Sequence, residues 1–80
     1  MNNLEDLSFI ESYKGVLFYR HNRLSYDGVD CVYLRGVERG KMWAGYTYIS
    51  RLVMKDSNIN WRDIAIEMVL DDARENEHAS

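Results

Sequence analysis

Cys31 and His21 have the side-chain types of a thiol nucleophile and its base, and Asp71-Asp72 places two carboxylates side by side. A cysteine nucleophile needs a lowered pKa and an imidazole within hydrogen-bond reach. Cys31 instead lies in the strand-like run VDCVYL, where a buried, inert thiol is the ordinary outcome. Asp71 and Asp72, consecutive on a helix, point in different directions and cannot share a proton. His21, His78 and Cys31 lack CxxC or HxxxH spacing, so neither a metal set nor a cofactor is expected.

Gly36-Val37-Glu38-Arg39-Gly40 is a glycine-bounded turn without the lysine and hydroxyl of a phosphate loop, and no GxGxxG, GxSxG or HExxH spacing occurs. A chain of 80 residues also has little material with which to enclose a substrate. The expectation is a protein with no catalytic residues.

Binding chemistry is better represented, because the charges are sorted by segment. Residues 14–55 hold eight Lys or Arg against three acids, the first thirteen residues hold three acids and no base, and residues 56–80 hold seven acids against two bases. A basic, Tyr-rich middle therefore sits between acidic ends, and partners of either sign can be matched.

At the acidic end, Asp63, Glu67 and Asp71 recur every four residues and line one stripe of a predicted helix. Its apolar arc exceeds the stripe that one sheet would cover: Trp61, Ile64, Ala65, Met68 and Val69 form a face that Ile66, Leu70 and Ala73 widen. Ile66 and Leu70 beside the acids make a candidate protein-binding surface. A solvated charge run over a core that the N-terminus completes is the plainer account of the same residues.

In the basic middle, Arg20 and Arg23 flank one turn, Arg35, Arg39 and Lys41 flank another, and Trp43 lies beside them. Cations around aromatic strands are the ingredients of single-strand nucleic-acid binding. The competing account is half-buried strand tyrosines with arginines solvating turns, and an acidic pI near 5.2 favours it. In KMWAGYTYIS, Met42, Ala44, Tyr46 and Tyr48 share one face, while Lys41, Trp43, Thr47 and Ile49 share the other. Trp43 with Lys41 is the expected exposed pair.

These residues need elements to hold them. Leu4, Leu7, Phe9 and Ile10 fit a short N-terminal helix capped by Asn2 or Asn3. Residues 16–19, 24–26, 29–34 and 41–49 read as strands, and Asp27-Gly28 has the residues of a type I′ hairpin turn. Residues 50–56 fit either the last strand or a connection. Asn60 as N-cap with Asp63 at N3, and Ile59 opposite Ile64, start a helix that should run from Trp61 to about Glu75.

The fold class is thus α+β: a three- to four-stranded antiparallel meander, a C-terminal helix packed on one face and a short N-terminal helix. Residues 1–75 make one small domain and 76–80 a disordered tail. A core of this size has little stability to spare, and one cysteine allows no internal disulfide, so a homodimer or a bound partner is a natural supplement.

Acids at the N-terminus do not match an export signal, no apolar run spans a bilayer, and a lone cysteine suits a reducing compartment, so a cytoplasmic protein without membrane contact is expected. The function these features suggest is a non-catalytic protein-binding module, an inhibitor or adaptor of phage or mobile-element type. It would act on a host protein or nucleoprotein complex, its partner a basic or nucleic-acid-binding protein, through Asp63, Glu67, Asp71, Ile66 and Leu70. Nucleic-acid binding through Arg20, Arg23, Arg35, Arg39, Lys41 and Trp43 is the alternative, and a structural homodimer is the third reading.

Overall fold

Three X-Gly dipeptides organise the chain. Lys14-Gly15, Asp27-Gly28 and Arg39-Gly40 all have positive φ at both residues, the backbone of type I′ turns, whose twist matches that of paired strands. The computed structural model describes residues 6–79. In it, β1 (Leu7–Tyr13), β2 (Val16–His21), β3 (Val29–Glu38) and β4 (Lys41–Ser50) form one antiparallel sheet in chain order. Two helices follow, a short α1 (Arg51–Lys55) and a long α2 (Trp61–Ala79).

The antiparallel sheet with a C-terminal helix agrees with the expected α+β class, and two details correct it. Leu7–Tyr13, expected to be helical, is a strand paired along β2. Leu4, Asn2 and Asn3 lie outside the described residues. The extra residue Ile10 forms a bulge between Phe9 and Glu11, which places Leu7, Phe9 and Ile10 at a spacing that imitates a helical face. Residues 24–26 contribute a turn and one isolated bridge from Tyr26 to Val29 rather than a strand. Arg51–Lys55 is a helical turn, capped by the Ser50 hydroxyl, which accepts from the Leu52 N–H.

Asn60 caps α2 as its position suggests. Its Oδ1 accepts from the Asp63 N–H at 3.2 Å, while its Nδ2 donates to the Asp63 carboxylate at 2.9 Å and to the Tyr13 hydroxyl at 3.1 Å. The helix backbone continues to Ala79, past the end near Glu75 expected from the sequence.

The core lies between α2 and one sheet face. Val16, Phe18, Val32, Leu34 and Ile49 from the strands meet Trp61, Ala65 and Val69 from α2. Phe18 and Trp61 pack edge-to-face at 5.5 Å, an arrangement that aromatic quadrupoles favour. Two glycines let the layers approach. A Cβ on Gly45 would lie 2.9 Å from Val69 Cγ1, and one on Gly36 would lie 2.5 Å from the Trp43 ring. The Trp43 indole therefore packs on Gly36, its cross-strand partner.

Candidate aromatic sheet face

Alternation along the paired strands sends one set of side chains to α2 and the other to the opposite face. Gly36↔Trp43 and Leu34↔Gly45 belong to the helix side. Trp43 is only partly exposed and packs against the core. This reverses the expectation that Trp43 and Lys41 mark the exposed face, which instead belongs to Met42, Ala44, Tyr46 and Tyr48.

On that face the register lines up aromatic rings. Phe9 is directly opposite Tyr19, Tyr19 opposite Tyr33, and Tyr33 opposite Tyr46. Their ring centroids are separated by 5.5, 6.0 and 4.9 Å, so one row of touching rings crosses all four strands. The His21 ring adds a contact at 5.9 Å from Tyr46, and the Leu24 N–H donates to His21 Nδ1. Phe9 remains 59% exposed and Tyr46 46%, and Met42, Val37 and Tyr48 extend the uncovered surface.

Patches of this kind mark contact sites, because each apolar group exposed to water forfeits transfer free energy that a partner can recover. Arg35, directly opposite Leu17 and Ala44, is the one formally charged side chain on this face among the described strands. It has no ion-pair partner among the described residues.

At one end of the face, Cys31 is fully buried and opposite Tyr48. Its N–H donates to the Ser25 hydroxyl. Burial pushes the Cys31 thiol up, opposed by a hydrogen bond with Tyr48. The charge of Cys31, followed by desolvation, raises the Tyr48 phenol in turn. A thiol held protonated in this way is a poor nucleophile.

The six residues of the nucleic-acid set converge only in part: Arg39, Lys41 and Trp43 line a groove with Leu70 and Arg74 beside the C-terminal half of α2, and the other three lie apart from it. Only Arg35 reaches the aromatic face. Arg20 joins Arg51 on the carboxylate of Asp30, at 3.4 and 2.8 Å. Arg23 pairs with Asp6, Arg39 occupies a turn, and Trp43 and Lys41 belong to the helix side.

The helix set is brought together more closely. Asp63, Ile66, Glu67 and Leu70 line a shallow groove with Lys14, Val16, Val37, Glu38 and Trp43. The hairpin ends thus provide much of the cover that Ile66 and Leu70 need, and both are half-buried. Ile64 and Met68, expected in the core, are exposed instead.

Part of the acidic stripe is engaged within the molecule. Lys14 reaches Asp63 at 3.2 Å, and Asp71 faces Arg74 at 3.5 Å. The hydrogen bond to Asp63 raises the Lys14 ammonium above its ordinary range. Arg74 also binds Glu38 through two nitrogens, at 2.6 and 3.3 Å. That bond lowers the Glu38 carboxyl and raises the Arg74 guanidinium. Glu67 has no ion-pair partner among the described residues.

No cluster of three or more His, Cys, Asp or Glu suited to a metal occurs among the described residues. No described helix is long and apolar enough to cross a membrane. No protein-family model matches the chain, and comparison with curated proteins and with solved structures also returns no match.

None of the row Phe9, Tyr19, Tyr33 and Tyr46 belongs to either set expected from the sequence: Phe9 is hidden by the helix-like spacing around the bulge, and the tyrosines read as half-buried strand residues. Gly36 and Gly45 were the available signal for which face is covered, since both share a side with Trp43 and small residues admit a packed helix.

Proposed function

We propose that this protein is a non-catalytic protein-binding module, an inhibitor or adaptor, whose principal contact surface is the helix-free sheet face. The observation carrying this reading is the uninterrupted row Phe9, Tyr19, Tyr33 and Tyr46, exposed at both ends and bordered by Arg35, which has no ion pair among the described residues. Buried aromatics and arginine are the side chains that dominate protein interfaces when truncated. A face that among the described residues carries one formal cation and no carboxylate complements a partner segment that carries an acid among apolar residues.

The ring geometry favours protein over nucleic acid as the occupant. Neighbouring rings are inclined by 47° to 69° and interlock with one another. A platform for stacked bases presents flat, separated ring faces.

The groove of Asp63, Ile66, Glu67 and Leu70 supports a second reading, in which a basic partner docks beside α2. Affinity capture from host lysate, with and without nuclease, tests the two together. Phe9→Asp and Arg35→Glu are expected to abolish nuclease-resistant capture, while Glu67→Lys with Asp71→Lys leaves it intact. The opposite pattern transfers the function to the helix, and nuclease-sensitive capture would reject a protein partner.

A further inference from the structure

We infer that β4 pairs with β4 of a second copy, antiparallel about a two-fold axis near Tyr46, to make a continuous eight-stranded sheet. This proposal stands independently of what docks on the aromatic face.

The two sheet edges differ in the features that permit or block pairing. β1 is seven residues long, bulged at Ile10, and has Glu11 held by Arg62 on the helix side. A bulge and an inward-held charge are devices that stop strand addition. β4 has ten residues in unbroken register with β3, contains no proline, and bears one charge, Lys41, at its first position. No described strand occupies its outer side. A long, regular, nearly uncharged edge is a template for another strand.

The occupant follows from the side chains flanking that edge. Tyr46 and Tyr48 are exposed on the aromatic face. On the helix side Met68, close enough to Thr47 for its sulfur to accept a hydrogen bond at 3.7 Å, is 48% exposed. Both sides of the edge are therefore apolar, as in a core opened at its boundary.

Antiparallel pairing keeps directly opposed residues on one face, so a two-fold copy can place Tyr46 opposite its own equivalent. In that register Ala44 faces Tyr48 of the second copy, Trp43 faces Ile49, and Met42 faces Ser50. Lys41 then falls beyond the overlap. The aromatic row, which ends at Tyr46 with one side open, would continue through a second Tyr46 into the other copy's Tyr33, Tyr19 and Phe9. A two-fold arrangement of this kind closes on itself and does not propagate.

Sedimentation equilibrium of the full chain from about 1 to about 200 µM tests the proposal, since mass action drives association with concentration. Species of twice the 9.5 kDa chain mass are expected at the upper end. Ala44 is exposed, so Ala44→Lys should give a monomer throughout while far-UV circular dichroism and the melting curve of dilute protein stay unchanged. Tyr46→Cys in a Cys31→Ala background reports the register directly, because opposed Cβ atoms about 4.5–5.5 Å apart lie near disulfide range. Oxidation should yield a covalent dimer in high proportion. A wild-type monomer at about 200 µM, or a dimer that survives Ala44→Lys and leaves Tyr46→Cys uncrosslinked, would overturn the inference.

Discussion

Replacing Gly45 by Ala tests the packing that decides which sheet face is free. The added methyl would lie 2.9 Å from Val69 Cγ1, whereas ordinary contact begins at 3.4 Å, so a shift of about 0.5 Å is required. Val69 cannot easily supply it by rotation, because a β-branched side chain in a helix has one strongly preferred χ1. The strain must enter the backbone of α2 or β4. Overpacking of this kind costs about 1–3 kcal/mol, and the Gly→Ala change recovers about 0.5–1 kcal/mol by restricting the unfolded chain. A net loss near 1 kcal/mol is expected, which at an m-value of about 1 kcal/mol/M lowers the urea midpoint by about 1 M.

The decisive comparison is a cycle with Val69→Ala. Val69 is 2% exposed, so its truncation alone leaves a cavity and costs about 2 kcal/mol. In the double variant the Gly45→Ala methyl occupies the vacated space, so the losses should fall short of additive by about 1–2 kcal/mol. Additivity within about 0.5 kcal/mol would refute the contact and, with it, the assignment of the helix side.

Three further outcomes follow from other contacts. Glu38 titrates below its ordinary value because Arg74 bonds its charged form; the stability this contributes is present above the unfolded carboxylate pKa and lost as pH falls through the folded one. Arg74→Gln should return the Glu38 titration, followed by carbon NMR, to the ordinary range, and an unmoved midpoint would exclude the pair. Cys31 should react with an aromatic disulfide reagent only as fast as the chain unfolds, so modification at the rate of a free thiol in native buffer would contradict its burial. Asn60→Ala removes the acceptor for the Asp63 N–H and should cost about 1 kcal/mol. That loss corresponds to about 4–8 °C in Tm for a chain of this size, and an unchanged calorimetric Tm would deny the cap.

The legible parts of the fold were those whose chemistry is local. Asn60 with Asp63 announces a helix start, and Asp27-Gly28 announces a reversal, because each pairs residue type with a backbone conformation over two to four positions. Lys14-Gly15 and Arg39-Gly40 make the same turn but place a long cation where Asn or Asp is usual. β1 was missed because its bulge breaks the period of two on which strand recognition rests. The site suffered from longer-range dependence. Alternation separated Trp43 from Tyr46 and Tyr48 correctly, yet which set is exposed depends on Gly36 and Gly45 making room for α2. The row from Phe9 to Tyr46 exists only once three registers are known together.

The chain-order arrangement of the sheet also governs how the molecule forms. Every strand pairs with its sequence neighbour across a short connection, and hairpins of this kind close in about 1–10 µs. The helix makes its contacts from much farther along the chain, Trp61 on Phe18 and Val69 against Gly45, and each such closure carries a larger entropic cost. Val69→Ala is therefore expected to accelerate unfolding while leaving the refolding rate nearly constant, as read from a stopped-flow chevron. Slowed refolding with unchanged unfolding would show that the helix belongs to the nucleus. With late docking, a nascent chain would display both faces of its meander before α2 covers one, and the glycines on the covered side become the step at which the two faces cease to be interchangeable.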